Sequence, residues 1–300
     1  MPDKLQHLAP RLAFPALIVA NLFLAAGPWM VRLADVGPVA AGFWRLVLVL
    51  PLLGLLAVWQ GRGQKLPRGS LVAAILVGGL FFAADLASWH VGILQTKLAN
   101  ATLFGNFASF LFAIYGFVLL RRMPGRVPST ALLLAVFGTA LLLGRSYELS
   151  HVNLVGDLFC LLAGLFYTFY LVAVDRARRS LAAFPTLFIA TAAGTLPLLL
   201  FALALGETVV PTDWGPLILL SVGSQLIGQS LLVFAMGHLS PMVTGLGLLT
   251  QPIAAAAIGW AVYGERLATL DVMGAVFICA GLVLIRLPQR SLASPAAQDH

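Results

Sequence analysis

Charged residues are scarce in this 300-residue chain: Asp, Glu, Lys and Arg together occupy 10% of the positions. A soluble domain typically has about 25%. Hydrophobic residues make up 60% of the chain, and the mean hydropathy is +0.98. This composition excludes an ordinary soluble enzyme and indicates a protein embedded in a membrane.

Cysteine is also rare, with Cys160 and Cys279 as the two examples, and both fall in apolar stretches. Their spacing supports neither a disulfide framework nor a metal site. The sequence also lacks a His/Glu pair at i and i+4 that could hold zinc, a Gly-rich phosphate loop and a Ser-His-Asp pattern. We therefore expect no enzymatic activity, no cofactor, no bound metal and no nucleotide domain for an ATP-driven pump.

Long apolar segments make up most of the chain. A helix rises 1.5 Å per residue, so about 20 apolar residues cross a hydrocarbon core of about 30 Å, and a helix satisfies its own backbone hydrogen bonds in lipid. The sequence predicts an all-α polytopic membrane protein with ten transmembrane helices, called spans one to ten. They cover residues 12–33, 39–59, 70–93, 98–119, 128–145, 153–174, 184–205, 214–236, 242–262 and 269–287. Residues 288–300 are predicted to form a polar cytoplasmic tail.

Basic residues are distributed unevenly between the two sides that these spans define. Ten crossings leave both termini on one side, which receives thirteen Lys or Arg residues. The other side receives Arg32, Lys97, Arg145 and Arg266, and Arg45 lies inside span two. Because positive residues concentrate in cytoplasmic loops, we predict a bacterial-type inner membrane protein with both termini in the cytoplasm. The formal net charge of +7 then belongs to these loops and indicates no nucleic-acid partner.

The two halves of the chain each contain five spans and share short sequence matches. For example, Pro-Leu-Leu at residues 51–53 recurs at residues 197–199. Since five is an odd number, the second half would insert in the opposite orientation to the first. We therefore predict two inverted five-helix repeats, over residues 12–145 and 150–287. Secondary transporters built this way bind substrate near the membrane midplane, between the repeats.

Several motifs in these spans resemble those of a known transporter family. The end of an EamA domain resembles three segments of this chain, Gly264–Leu267, Met273–Ala275 and Gly281–Ile285. The proline that precedes this end in the domain resembles Gln251-Pro252. The arginine-bearing second helix of the first EamA copy resembles Gly42–Leu46. Over residues 12–287 the chain is similar to the ten-helix branch of the drug/metabolite transporter superfamily. The resemblance implies two EamA repeats and an electrochemically driven or facilitative carrier of small metabolites, more often an exporter.

Polar residues inside the spans are the candidate functional residues, because a charge at a helix centre costs about 2.5–3.5 kcal/mol. Asp85, Ser88 and Trp89 in span three are spaced i, i+3, i+4 and share one helix face. One interpretation is a cavity wall whose carboxylate binds a cationic group or a proton. The alternative is a structural ion pair or hydrogen bond between Asp85 and Arg45, which lies at a comparable depth in span two.

Span eight carries a polar stripe at helical spacing. Lipid would not tolerate this face, so we predict that it points into the bundle and faces Asp85 across a cavity, with helix packing alone as the alternative. The stripe consists of Ser221, Ser224, Gln225, Gly228 and Gln229.

Other spans contribute further candidates for the cavity wall. Aromatic, amide and hydroxyl side chains can either contact substrate or hold helices together. These candidates are Trp44, Asn21, Asn106, Tyr167 and Gln251.

Three residues are candidates for coupling and gating. An unperturbed histidine has a pKa near 6.5, so His90 suits proton coupling, although a hydrogen-bonded interface residue is the alternative interpretation. Pro28 and Pro252 can each interrupt a helix and so act as a gate.

Together these residues predict a secondary active or facilitative transporter that alternates access around a central cavity. We expect it to export an amino acid, an amino-acid derivative or a related amphipathic or cationic compound. Import of such a compound is the alternative, and an intramembrane enzyme or a scaffold are alternatives of a different class. The expected partners are the substrate, membrane lipid and a proton or another coupling ion, and the protein would act as a monomer or a homodimer.

Overall fold

The computed structural model describes residues 3–62, 69–95, 101, 104–120, 125–143, 151–263 and 269–286. Throughout these ranges the regular structure is helical and no strand occurs. Seven helical segments are long and apolar enough to cross a membrane, and shorter apolar helices lie at Phe107–Gly116, Arg126–Gly138 and Val272–Gly281. The predicted all-α polytopic architecture is therefore confirmed. The three shorter helices coincide with predicted spans four, five and ten, and a total of ten crossings stays a prediction.

The helix boundaries follow the predicted spans. In chain order the helices are Asp3–Ala25, Gly27–Leu33, Pro38–Val47, Leu50–Gly61, Gly69–Gln95, Phe107–Leu120, Arg126–Leu143, His151–Arg178, Ala183–Ala204, Gly215–Leu220, the π-helix Ser221–Gln229, Ser230–Met236, Pro241–Leu248, Gln251–Tyr263 and Thr269–Arg286. The predicted motif Gly264–Leu267, the basic residues Lys97 and Arg145, and the tail 288–300 lie outside the described residues.

Spans one, two and nine are each interrupted just before a proline. A proline inside a helix lacks an N–H donor, and its ring clashes with the carbonyl four residues earlier. The helix therefore ends and restarts with the proline as its second residue. The interrupted positions are Ala26, Leu48-Val49 and Leu249-Thr250, and the prolines are Pro28, Pro51 and Pro252.

Span eight has a π-helical centre, Ser221–Gln229, between two α-helical ends. A π-helix pairs residue i with i+5, and such segments occur frequently at functional sites. Gln225 and Gln229 lie in this segment and are both buried, so the predicted polar stripe does point into the bundle.

The helices pack in a pattern that is the same for both halves. Spans two and seven, four and nine, and five and ten pack against each other. Spans three and four both contact span six. In the same way, spans eight and nine both contact span one. Exchanging each span for the one five places along therefore reproduces these contacts. This symmetry supports the division into inverted repeats at 12–145 and 150–287, which stays a proposal.

Two glycines allow the closest of these helix approaches. A Cβ atom on Gly79 in span three would lie 2.3 Å from the carbonyl oxygen of Ala190 in span seven. A Cβ atom on Gly245 in span nine would lie 2.6 Å from the carbonyl oxygen of Ser109 in span four. Small residues let membrane helices approach closely enough for tight van der Waals packing.

Candidate functional site

A cavity of about 90 Å³ lies near the middle of the bundle. Its described lining residues come from spans one, two, three, four, six, eight and nine. A single water requires about 10–15 Å³ measured in this way, so the cavity has room for several waters or a small solute. Of the residues predicted to contact substrate or to gate, the structure brings together at the cavity Pro28, Arg45, Asp85, Trp89, Asn106, Tyr167, Gln229 and Gln251.

Asp85 and Arg45 are the two charged residues among the described lining residues. No Arg45 nitrogen lies within 4.0 Å of an Asp85 oxygen among the ion pairs of the described residues. The predicted alternative of a direct ion pair is therefore not what the structure shows. Asp85 is half-buried, and no hydrogen bond joins its carboxyl group to a described residue. Its oxygens are therefore available to a ligand.

Arg45 is held by span eight instead of by Asp85. Its Nε donates a hydrogen bond to Oε1 of Gln225 at 3.2 Å, and Nε2 of Gln225 donates to Oγ1 of Thr191 in span seven at 3.0 Å. The guanidinium carbon lies 5.7 Å from the centre of the Phe82 ring, which is within the range of a cation–π contact. Gln225 is fully buried behind Arg45 and is not a described lining residue, which corrects its predicted place in the cavity wall.

Aromatic side chains form the wall next to these charges. Phe82 stacks on Tyr170 with ring centres 4.5 Å apart, and Tyr170 lies 5.6 Å from Tyr167. The Tyr170 hydroxyl donates to Oε1 of Gln229, and Nε2 of Gln229 donates to the Tyr167 hydroxyl, both at 3.4 Å. The Gln229 amide is thus oriented by two phenols while it also borders the cavity.

Asn21 joins span one to the interruption in span nine. Its Nδ2 donates to the Gly247 carbonyl at 2.7 Å and to Oγ1 of Thr250 at 2.6 Å, and its Oδ1 accepts a hydrogen bond from Nε2 of Gln251 at 3.3 Å. Asn21 is 1% exposed and is not among the described lining residues. The structure therefore places it behind Gln251 rather than in the predicted wall, because the interrupted helix of span nine offers it a carbonyl acceptor.

Five other predicted residues lie away from the described cavity lining: Trp44, Ser88, His90, Ser224 and Pro252. The Trp44 indole donates to the carbonyl of Val209 at 2.6 Å and packs against Trp214, so it faces the loop after span seven. Nδ1 of His90 donates to the Pro38 carbonyl at 2.6 Å, since a carbonyl can only accept. Ser88 and Ser224 are buried between helices, and so is Pro252.

The second half of the chain is similar to a known protein family. Residues 154–287 match the family model of the EamA-like transporter family. This half is similar to an EamA-like transporter domain. The match confirms the family resemblance of the sequence motifs and supports membership of the drug/metabolite transporter superfamily. The family is one of transporters rather than enzymes.

The fold of the whole chain also occurs among solved structures. One protein crystal structure is similar to this chain with a TM-score of 0.75 and 18% sequence identity, over 95% of this chain and 99% of the other. At this identity the similarity shows the fold alone. No curated protein matches the chain. The ten-helix branch stays a prediction.

Two carboxylates connect the loops on the predicted outer side of the bundle. Asp35, between spans one and two, accepts hydrogen bonds from the backbone amides of Thr212 and Asp213, at 2.8 and 3.1 Å, and from the Thr212 hydroxyl. Glu207, between spans seven and eight, accepts hydrogen bonds from the amides of Val39 and Ala40 at 3.3 and 2.8 Å. Each loop therefore supplies a carboxylate to the other. The Thr212 hydroxyl is the main cause of a lowered Asp35 pKa.

Several residues that shape the site were not predicted from the sequence. Phe82 lies three residues before Asp85, so the helical spacing used for Ser88 and Trp89 could have found it. Thr191 is one of three threonines in the apolar span seven, and Glu207 is an acidic residue in a loop. Nothing in their sequence context indicates their partners, which lie in distant parts of the chain.

Proposed function

We propose that the protein is a secondary active or facilitative transporter of a small metabolite across a bacterial-type inner membrane, with both termini in the cytoplasm. The match to a transporter family supports transport. The observation that carries the site assignment is the cavity that contains both Arg45 and Asp85. Because each buried charge is costly in a bilayer, a cavity that exposes two of them to a ligand is best explained by substrate binding.

The substrate would contact seven residues as it passes the midplane: Asp85, Arg45, Trp89, Asn106, Tyr167, Gln229 and Gln251. Their mixture of one carboxylate, one guanidinium, amides and aromatic rings suits an amino acid, an amino-acid derivative or a related amphipathic compound. Gln225, Asn21 and Thr191 would act from behind this wall by holding Arg45 and Gln251 in place. Export is the proposed direction, in keeping with the family resemblance.

Alternating access requires helices that can bend near the cavity. Spans one and nine are both interrupted next to it, at Ala26 before Pro28 and at Leu249-Thr250 before Pro252. Leu24, Ala25, Leu248 and Gln251 border the cavity, so rotation at either interruption would change its access. We propose these two positions as hinges of the transport cycle.

Asp85 is the proposed coupling residue, and His90 is not. Asp85 borders the cavity, whereas His90 is fully buried outside the described lining. A coupling proton or cation has to enter and leave along the transport path. Asp85 borders this path, and His90 does not.

Metabolite profiling of cells and medium tests the transport function. Cells would express the wild type, Asp85→Asn, or Asp213→Asn, which makes the same chemical change in the loop before span eight. We expect one compound to be enriched in the medium with the wild type and with Asp213→Asn, but not with Asp85→Asn. Enrichment inside the cells would reverse the direction.

Reconstitution in liposomes tests the coupling. Uptake of the compound found by profiling would be measured with and without a pH gradient. A gradient-dependent rate in the wild type that Asp85→Asn abolishes supports coupling through Asp85. The same gradient dependence in both proteins would contradict it, and absence of transport in both cells and liposomes would contradict the function.

A further inference from the structure

Arg45 borders the cavity, and its side chain makes one hydrogen bond to the described residues, through Nε. Gln225 occupies its Nε, and no hydrogen bond joins its terminal Nη1 and Nη2 to any described residue. The residue is 4% exposed yet lines the cavity. A buried guanidinium normally pairs its terminal nitrogens with a carboxylate or another acceptor. The terminal nitrogens of Arg45 therefore have no partner among the described residues, and a ligand in the cavity that Arg45 borders can supply one.

Asp85, the acidic residue among the described lining residues, borders the same cavity. Its carboxylate oxygens accept no hydrogen bond from the described residues, and the two charged groups are too far apart for a direct ion pair. A neutral amide, Gln225, positions Arg45 without neutralising its charge. The cavity therefore has one positive and one negative anchor, and no described residue pairs with the terminal nitrogens of Arg45 or with the oxygens of Asp85.

We infer that the cavity selects a zwitterionic ligand, whose anionic group binds the Nη edge of Arg45 and whose cationic group binds Asp85. This inference rests on the proposed transport function and narrows its substrate class. A ligand with a single charge would satisfy one anchor and leave the other unpaired in a region of low dielectric, which is strongly unfavourable. A zwitterion satisfies both and adds no net charge to the bilayer interior.

The walls indicate the remainder of the ligand. Phe82, Trp89 and Tyr167 supply aromatic surface, and Leu86 and Leu248 supply aliphatic surface. An apolar substituent would therefore fit beside the two charged groups. This arrangement describes a small amino-carboxylate compound with an apolar or aromatic side chain.

Gln225 and Thr191 are the positioning residues for the anionic anchor. Nε of arginine can only donate, so Gln225 has to present its oxygen to Arg45 and its NH₂ group to Thr191. The Thr191 hydroxyl thus fixes the orientation of the amide. Thr191 is fully buried and is not a described lining residue, so its effect on a ligand would pass through Gln225 and Arg45.

Two matched ligand series test the inference on the purified full-length protein. The probes are phenylalanine, phenylalaninamide and 3-phenylpropionate, and leucine, leucinamide and 4-methylpentanoate, with binding measured by calorimetry and by thermal shift. In at least one series we expect the zwitterion to bind about tenfold or more tightly than both the amide, which lacks the carboxylate, and the acid, which lacks the ammonium group. The inference would be overturned if, in both series, the amide or the acid bound as tightly as the amino acid. It would also be overturned if neither phenylalanine nor leucine bound.

Variants assign each charge to its anchor. Arg45→Gln should remove the preference for phenylalanine over phenylalaninamide, and Asp85→Asn should remove the preference for phenylalanine over 3-phenylpropionate. If Arg45 and Asp85 had only a structural role, both substitutions would lower the stability of the protein without changing its selectivity among the three ligands. Thr191→Val should weaken binding of the zwitterion and Thr191→Ser should restore it, and this pair tests the anchor even if Arg45→Gln fails to fold.

These outcomes separate the inference from the transport function. If profiling identifies a transported compound that carries only one charge, the transport function stands and the zwitterion inference is wrong. If neither the wild type nor Asp85→Asn transports a compound in liposomes while the zwitterion binds with the expected selectivity, the ligand site stands and the transport function is wrong.

Discussion

Glu207 caps a helix that begins 169 positions earlier in the chain, at Pro38: its Oε2 accepts a hydrogen bond from the backbone amide of Ala40 at 2.8 Å. Asp35 makes the reciprocal contact with the amide of Thr212, also at 2.8 Å. The amide of Gly37 donates to the Thr208 carbonyl at 2.9 Å. These contacts link spans one and two to spans seven and eight at one end of the bundle.

Replacing Glu207 should measurably destabilise the bundle. Its carboxylate satisfies amides at a helix N-terminus, where caps contribute about 1 kcal/mol and a negative charge interacts favourably with the helix dipole. We expect Glu207→Ala to lower the free energy of unfolding in detergent by about 1 kcal/mol. Glu207→Gln retains an acceptor and should lose less, so an equal loss in both variants would contradict the capping role.

The stabilising effect of Asp35 should depend on pH. Its pKa in the folded protein lies below 3.8, chiefly because it accepts a hydrogen bond from the Thr212 hydroxyl. A carboxyl group with a lowered pKa stabilises the fold above its unfolded pKa, and this contribution is lost as the pH falls through the folded value. Asp35→Asn should therefore reduce the thermal stability at pH 7 and make little difference below the lowered pKa. Parallel stability curves for both proteins would contradict this.

Gly79 should be far less tolerant of a methyl group than Gly69 in the same helix. A Cβ atom at Gly79 would lie 2.3 Å from the carbonyl oxygen of Ala190, whereas nothing lies within 4 Å of a Cβ at Gly69. We expect Gly79→Ala to cost about 1–3 kcal/mol through overpacking, and Gly69→Ala to be neutral or slightly stabilising. Unfolding measurements on both variants test this, and similar stabilities would disprove the close approach of spans three and seven.

Adding a methyl group at Gly105 should disturb the cavity through Trp89. A Cβ atom at Gly105 would lie 3.1 Å from Nε1 of the Trp89 indole, and both residues border the cavity. We expect Gly105→Ala to weaken the apparent substrate affinity in transport assays about tenfold, since a small misplacement of a positioning group can have a large effect. Gly125→Ala, where the nearest atom is Cδ of Pro128 at 3.8 Å, is the matched control and should transport normally.

Restoring a continuous helix at Pro28 should slow transport. Pro28 follows the interruption at Ala26, whereas Pro15 lies inside a continuous helix. Pro28→Ala permits the missing helical hydrogen bond, so we expect a more stable protein with a lower turnover rate. Pro15→Ala is the control and should keep the wild-type turnover, and a normal rate for Pro28→Ala would exclude this hinge.

Much of the fold could be predicted because the membrane imposes simple rules. Apolar length located the spans, and the cost of burying charge selected Asp85 and Arg45 as interior residues before any contact was known. The prolines at positions 28 and 252 indicated interruptions, since their effect on a helix is local. The π-helical centre of span eight was not predicted, because its serines, glutamines and glycines also fit an α-helix.

The sequence by itself determined that this protein crosses the membrane repeatedly and that its polar residues face one another inside the bundle. Only the tertiary structure decided the partners: Arg45 binds Gln225 rather than Asp85, and Asn21 binds the interrupted helix of span nine. Helical spacing states which face a residue occupies, but not which neighbouring helix meets that face or at what rotation. Those depend on close packing at residues such as Gly79 and Gly245, which arises when all the spans assemble.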